Sequence, residues 1–220
     1  MPASLKQRLA SEALGTAFLL AIVVGSGIMA ERLAGGNVAV ALLANTLATG
    51  AGLVALILTF GPISSHFNPI VTLMDATAGA VPWREVPAYL AAQVAGAFCG
   101  VWAAHIMFAV DVLQISTKVR SGGAQALSEF VAAFGLLLVI YSVAKHRRDA
   151  LPYAVGAYIT AAYWFTASTS FANPAVTMAR SVTESFAGIR PADVPVFIAA
   201  QLVATAVALL IAPRLFNAKK

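Results

Sequence analysis

The stretch SHFNPIVTLMDA, residues 65–76, puts the pair Asn68-Pro69 at the head of an apolar run. The chain repeats the pattern in SFANPAVTMARS, residues 170–181, at Asn173-Pro174. Asn is a favoured helix N-cap and proline is tolerated at the first helical position, so each pair marks a helix start. Each run meets a charge, Asp75 or Arg180, seven residues after its Asn. A bilayer crossing takes ~20 apolar residues, so neither run can span one.

The surrounding chain is that of a membrane protein. Its 220 residues are 60% hydrophobic and 10% charged, with a mean hydropathy of +0.84. That leaves too little polar surface for a soluble domain. The net charge of +5 sits mostly between apolar runs, which points to topology and away from nucleic acid. The single cysteine, Cys99, excludes an internal disulfide and is expected to pack within a span. The first apolar run continues past residue 20 with no clear cleavage site, so it reads as a retained span.

Six runs are long enough to cross, at about 9–30, 38–60, 86–110, 125–145, 151–168 and 194–216. Counting basic residues in the short connections gives nine on one side: Lys6, Arg8, Arg84, Lys145, Arg147, Arg148, Arg214, Lys219 and Lys220. The other side has five: Arg32, Lys118, Arg120, Arg180 and Arg190. The positive-inside rule then puts both termini in the cytoplasm.

The chain also repeats itself. SEALGTAFLL from Ser11 matches SEFVAAFGLL from Ser128, the two Asn-Pro stretches match, and VPAYLAAQVAGA from Val86 matches VPVFIAAQLVAT from Val194. The offsets are 117, 105 and 108 residues, in the same order. Two halves of three spans each, about 9–110 and 125–216, follow within one transmembrane domain over residues 1–220. Three is odd, so the second half inserts upside down relative to the first.

An inverted repeat brings the two short helices in from opposite faces, and their N-termini meet near the midplane. Non-helical backbone at that depth must be buried in protein or line an aqueous cavity. Two helix N-termini there form a positive barrier. Asn68 and Asn173 can aim N–H donors at a passing solute. Such a site resists cations and protons and suits neutral polar molecules.

These residues resemble the aquaporin, or major intrinsic protein, family over nearly the whole chain. The resemblance rests on HFNPIVT, ANPAVT, Glu12 and Glu129 in spans one and four, and Gln93 and Gln201 in spans three and six. It implies an all-α membrane protein with six transmembrane helices, two re-entrant half-helices, a pore in each protomer and a homotetramer. Glu12 and Glu129 would brace the half-helix loops. The central boxes would be Asn68-Pro69-Ile70 and Asn173-Pro174-Ala175. Ile70 departs from the family's usual alanine and changes the packing there.

A second departure concerns the outer constriction. The family usually has an arginine directly after the second box; here the residue is Val176. Carried over by spacing, the other constriction positions are Ala161, Ser170 and Thr49 (or Ala48, if the loop has no deletion). That set has no aromatic, histidine or arginine, and implies a wide, amphipathic, nearly uncharged filter. Arg180 lies one turn beyond Val176 on the same face. It reads either as a vestibule stand-in for the missing arginine or as an interfacial arginine that snorkels or pairs with a loop carbonyl; the second reading is preferred at this stage. The series Asn-Pro-Ala-Val-Thr-x-Ala-Arg is similar to the bacterial branch associated with arsenic resistance. That resemblance implies polyols such as glycerol, uncharged arsenous acid or methylated arsenicals, and water as solutes.

The remaining candidates carry less. His66, His105 and His146 are too dispersed for a metal site; His66 is expected to hydrogen-bond in the re-entrant loop or to line the inner mouth. No nucleophile–base pair suggests an enzyme, and no cofactor is expected. A proton-coupled secondary transporter shares the inverted repeat and broken helices, with Glu12 and Glu129 as coupling carboxylates. A water-selective pore is the remaining alternative. The lipid bilayer, most simply a bacterial inner membrane, is the expected setting.

Overall fold

The computed structural model describes residues 3–217; Lys219 and Lys220, counted above for orientation, lie outside the described residues. Among the described residues eight α-helices form: α1 (Leu5–Leu33), α2 (Val38–Phe60), α3 (Pro69–Thr77), α4 (Val86–Met107), α5 (Gly123–His146), α6 (Leu151–Phe165), α7 (Pro174–Ala179) and α8 (Val194–Phe216). Their starts follow local chemistry. Ser4 and Gln7 form a capping box on α1, Asn37 caps α2, and Asn68 and Asn173 cap α3 and α7 with proline next in line.

Five helices are long and apolar enough to cross a membrane. The sixth, α6, has 15 residues, shorter than the 151–168 expected. It rises about 22 Å and is preceded by a 3₁₀ turn, Arg148–Ala150. The chain leaves the helix at Thr166, which is extended, to begin the descent to the second Asn-Pro box. The half-helices are also brief, at nine and six residues.

Packing pairs the halves symmetrically. Helix α1 packs on α4 and α2, α5 packs on α8 and α6, and α2 packs on α6. Helices α3 and α7 touch each other, and each lies against both α4 and α8. With no hydrophobic drive between helices in lipid, small residues permit such contact. On α4, a Cβ at Gly96 would come within 2.2 Å of the Ala13 carbonyl oxygen, and one at Gly100 within 2.1 Å of that of Ala17. Outward faces are apolar and exposed, including Leu14, Phe18, Leu47, Val203 and Leu210. Cys99 is exposed on α4, so the expectation that it packs inside is corrected.

Candidate functional site

The site begins with two buried carboxylates. Glu12 accepts from the backbone N–H of His66 at 2.8 Å and of Phe67 at 2.7 Å. Glu129 accepts from Phe171 at 2.8 Å and Ala172 at 2.9 Å. Gln93 then donates to Glu12 and to Thr72, both at 2.9 Å. Gln201 donates to Glu129 at 2.7 Å and Thr177 at 2.9 Å. All four side chains are buried. The same clamp is built twice, and each copy fastens a re-entrant loop to the half-helix that follows it.

What the clamps hold is strained. Phe67 has φ of 50° and Ala172 of 47°, a left-handed conformation that is costly for any residue but glycine and an outlier for a bulky one. Each is the residue before its Asn. The turn lets the asparagines reach across: Asn68 Nδ2 donates to the Ala172 carbonyl at 2.8 Å, and Asn173 Nδ2 to the Phe67 carbonyl at 2.7 Å. Asn68 Oδ1 accepts from Ile70, and Asn173 Oδ1 from Ala175 and Val176. A carboxamide has two N–H donors, so each Asn keeps one free. Both residues line a cavity of about 500 Å³.

That cavity collects most of the residues singled out from the sequence. His66, Asn68 and Asn173 line it, as do Thr49, Ser170, Val176 and Arg180. Pro69, Ile70, Pro174 and Ala175 are buried around it and do not line it. The Ile70 side chain therefore packs into the core and does not enter the lumen. Glu12 and Glu129 likewise act from behind the wall.

Ala161 is a correction. It is exposed on the outer face of α6, while Tyr163 and Ile159 from the same helix line the cavity. Tyr163 Oη lies 3.3 Å from Thr49 Oγ1. The cavity wall as a whole also contains Tyr163, Phe171 and Arg180. Arg180 does not snorkel: it is only 2% exposed, and its Nε donates to the Ala187 carbonyl. The loop-carbonyl half of the earlier reading stands.

The end of the cavity lined by Arg8, His66 and Asp75 has its own polar cluster. His66 Nε2 lies 2.9 Å from Asp75 Oδ2 and Nδ1 3.1 Å from Thr72 Oγ1. Arg8 contacts Tyr89 Oη at 3.0 Å and Glu85 at 2.9 Å. The opposite end of the cavity is basic. The guanidinium carbons of Arg120 and Arg180 lie 5.0 and 3.4 Å from the centroid of the Phe171 ring. His105 ties this rim together, contacting the Val112 carbonyl and Thr183 at 2.9 Å.

Lys118, in the connection before α5, donates to the Phe186 carbonyl at 2.7 Å. Burial first, then the charges of Arg120 and Arg180, push its amine down to about 8. The folded value lies below the ~10.4 of a free lysine. The charge is thus unfavourable in the fold below pH 8, and that cost fades as pH rises toward the free value. At pH 8 about half of Lys118 is neutral, against under ~1% of ordinary lysines. Brief acylation at pH 8 should label Lys118 ahead of Lys6 and Lys145 by mass spectrometry; equal labelling of all three would contradict it.

Two capped half-helices meeting inside a helical bundle, around a cavity with free amide donors, define a multi-pass membrane channel. The comparisons with known proteins agree. The family model for the major intrinsic protein matches residues 2–167, and the chain belongs to that family, which is one of channels and not of enzymes. Aquaglyceroporin AqpS of Rhizobium meliloti is 55% identical over 93% of this chain and 88% of its own length. Aquaporin NIP1-3 of rice, Oryza sativa subsp. japonica, is 35% identical over 80% of this chain and 63% of its own. The crystal structure of the aquaglyceroporin from Plasmodium falciparum superposes with a TM-score of 0.72 at 20% identity, covering 97% of this chain and 98% of that one. At that identity it speaks for the fold alone.

Proposed function

We propose that this protein is a passive channel for small uncharged solutes of about glycerol size: polyols, arsenous acid or methylated arsenicals, and water. The observation that carries the reading is the make-up of the cavity at its centre and outer third. Asn68 and Asn173 present free N–H donors there, Thr49 and Tyr163 add hydroxyls, and Val176, Leu53 and Val23 are apolar. A solute with hydroxyls on one side and a bare face on the other matches both walls. Val176 stands where the family usually has arginine, which favours a wider passage. The name of the bacterial relative, an aquaglyceroporin, supports the same solute class.

In this reading Asn68 and Asn173 orient the solute, Glu12 and Glu129 brace the loops, and His66 lines the inner mouth. The flux needs no proton gradient, because both carboxylates are committed to backbone N–H groups. The protomer assembles as a homotetramer in a bacterial inner membrane with both termini cytoplasmic; the exposed apolar helix faces and the basic-residue count support this.

Stopped-flow light scattering on proteoliposomes tests it. Glycerol and arsenous acid should enter fast, without saturating at low millimolar concentration, and an uncoupler should change nothing. Water permeation alone would favour a water-selective pore. Loss of solute entry with the uncoupler would favour a proton-coupled transporter.

A further inference from the structure

Two arginines flank the Phe171 ring at the outer mouth, and they differ in what their donors do. Arg120 is spent on the protein: its guanidinium donates to the carbonyls of Gly188, Ser168 and Phe186 and contacts Thr169 Oγ1. Arg180 gives only Nε to the Ala187 carbonyl. Among the described residues its two Nη groups have no hydrogen-bond partner, and no carboxylate pairs with it. Yet Arg180 is 2% exposed and lines the cavity. An ionised side chain kept in a membrane interior without a counter-ion is expensive, and such residues usually serve the transport path.

A second observation points the same way. Ser170 is 3% exposed, lines the same cavity, and its hydroxyl has no partner. Buried hydroxyls are normally hydrogen-bonded, and an orphan one wants an explanation. Spare guanidinium donors and a spare hydroxyl share the wall with Val176, which contributes only a methyl-bearing surface.

Resting on the channel reading above, we propose that Arg180 is a specificity-determining residue of the outer constriction, supplying from one helical turn further out the charge and donors that Val176 cannot. One arginine at the position of Val176 would both narrow the passage and charge it. Here the two effects are separated. Val176 leaves the passage wide, and Arg180, held over the Phe171 ring and tied at Nε, keeps it positive. Its Nη groups then offer contacts for a solute's oxygens. Cations meet a fixed positive charge before they reach the half-helix N-termini.

The test uses the full chain in proteoliposomes, with glycerol entry and proton entry under a potassium diffusion potential measured on the same samples. Arg180→Gln keeps a donor for the Ala187 carbonyl and removes the charge. It should raise proton entry by about tenfold and lower glycerol entry, because contacts for the solute's oxygens are lost with the charge; Arg180→Lys should stay tight. An Arg180→Gln channel that passes glycerol and remains as proton-tight as wild type overturns the proposal. If Arg180→Gln does not assemble, phenylglyoxal on the wild type decides. Labelling at Arg180, slowed by glycerol and accompanied by proton leak, supports it; labelling confined to other arginines overturns it. A wild type that passes no glycerol sinks the channel reading instead.

Discussion

Val176→Arg should cut glycerol and arsenous acid entry by about tenfold, a barrier increase of about 1.4 kcal/mol, and cut water entry much less. The side chain of residue 176 lines the cavity, on the helix that Asn173 caps. An arginine there gains a long stem and a second cation one turn from Arg180. The added bulk falls on solutes that fill the passage, whereas a water molecule still fits past it. The two guanidinium groups also repel each other in a site of low dielectric. Equal losses for water, glycerol and arsenous acid would mean that the variant merely damages the fold, and that residue 176 does not set the width.

The second large effect is expected at Glu129. Glu129→Ala strands the N–H groups of Phe171 and Ala172 and one donor of Gln201. A buried unsatisfied donor costs about 1–3 kcal/mol, so the backbone pair alone costs roughly 2–6 kcal/mol. That is a large share of the ~5–15 kcal/mol by which a folded protein is stable. Ala172 is also in a left-handed conformation that nothing else in the loop enforces so directly. The variant should lose folded protein in detergent and solute flux together. Glu129→Gln keeps one acceptor oxygen and should fall between. A Glu129→Ala channel with wild-type thermal stability and flux would show that the carboxylate is not the loop's anchor.

Much of this was legible in the chain, for a physical reason. A polar residue inside an apolar run cannot be there by solvation, so Asn68, Asn173, Glu12, Glu129, Gln93 and Gln201 each announce a partner. Their recurrence in both halves told which residues act together. The span boundaries followed from length and hydropathy, and most agree with the helices within a few residues.

The outer constriction was less legible because it is assembled across irregular backbone. Counting twelve positions back from Asn173 to reach Ala161 passes through residues 166–172, where Thr169, Ser170 and Ala172 all have positive φ. Helical periodicity does not survive such a stretch. Within α6 the signal was present: Val155, Ile159 and Tyr163 recur every four residues and line the cavity together, while Ala161 lies about 200° around the helix from Ile159. Sequence put Arg180 one turn beyond Val176 with a loop carbonyl as a partner, but its depth of burial was not legible. What buries it is the Phe171 ring and the Ala187 carbonyl, one from the incoming loop and one from the outgoing loop. Phe171 was not singled out, nor Arg120 beyond the count of basic residues, for the same reason.

The crossed bonds at the centre bear on how the protein is made. Asn68 needs the carbonyl of Ala172, and Asn173 that of Phe67; neither half can complete its own pore-lining turn. These partners lie 104 and 106 residues apart. At translation rates of about 5–20 residues per second, roughly 5–20 s pass after Asn68 leaves the ribosome before its partner exists. During that interval the first half holds an unfinished turn, with a polar carboxamide and a strained Phe67. A stalled or truncated chain ending before residue 172 would therefore present an open seam, well suited to recognition by membrane quality control.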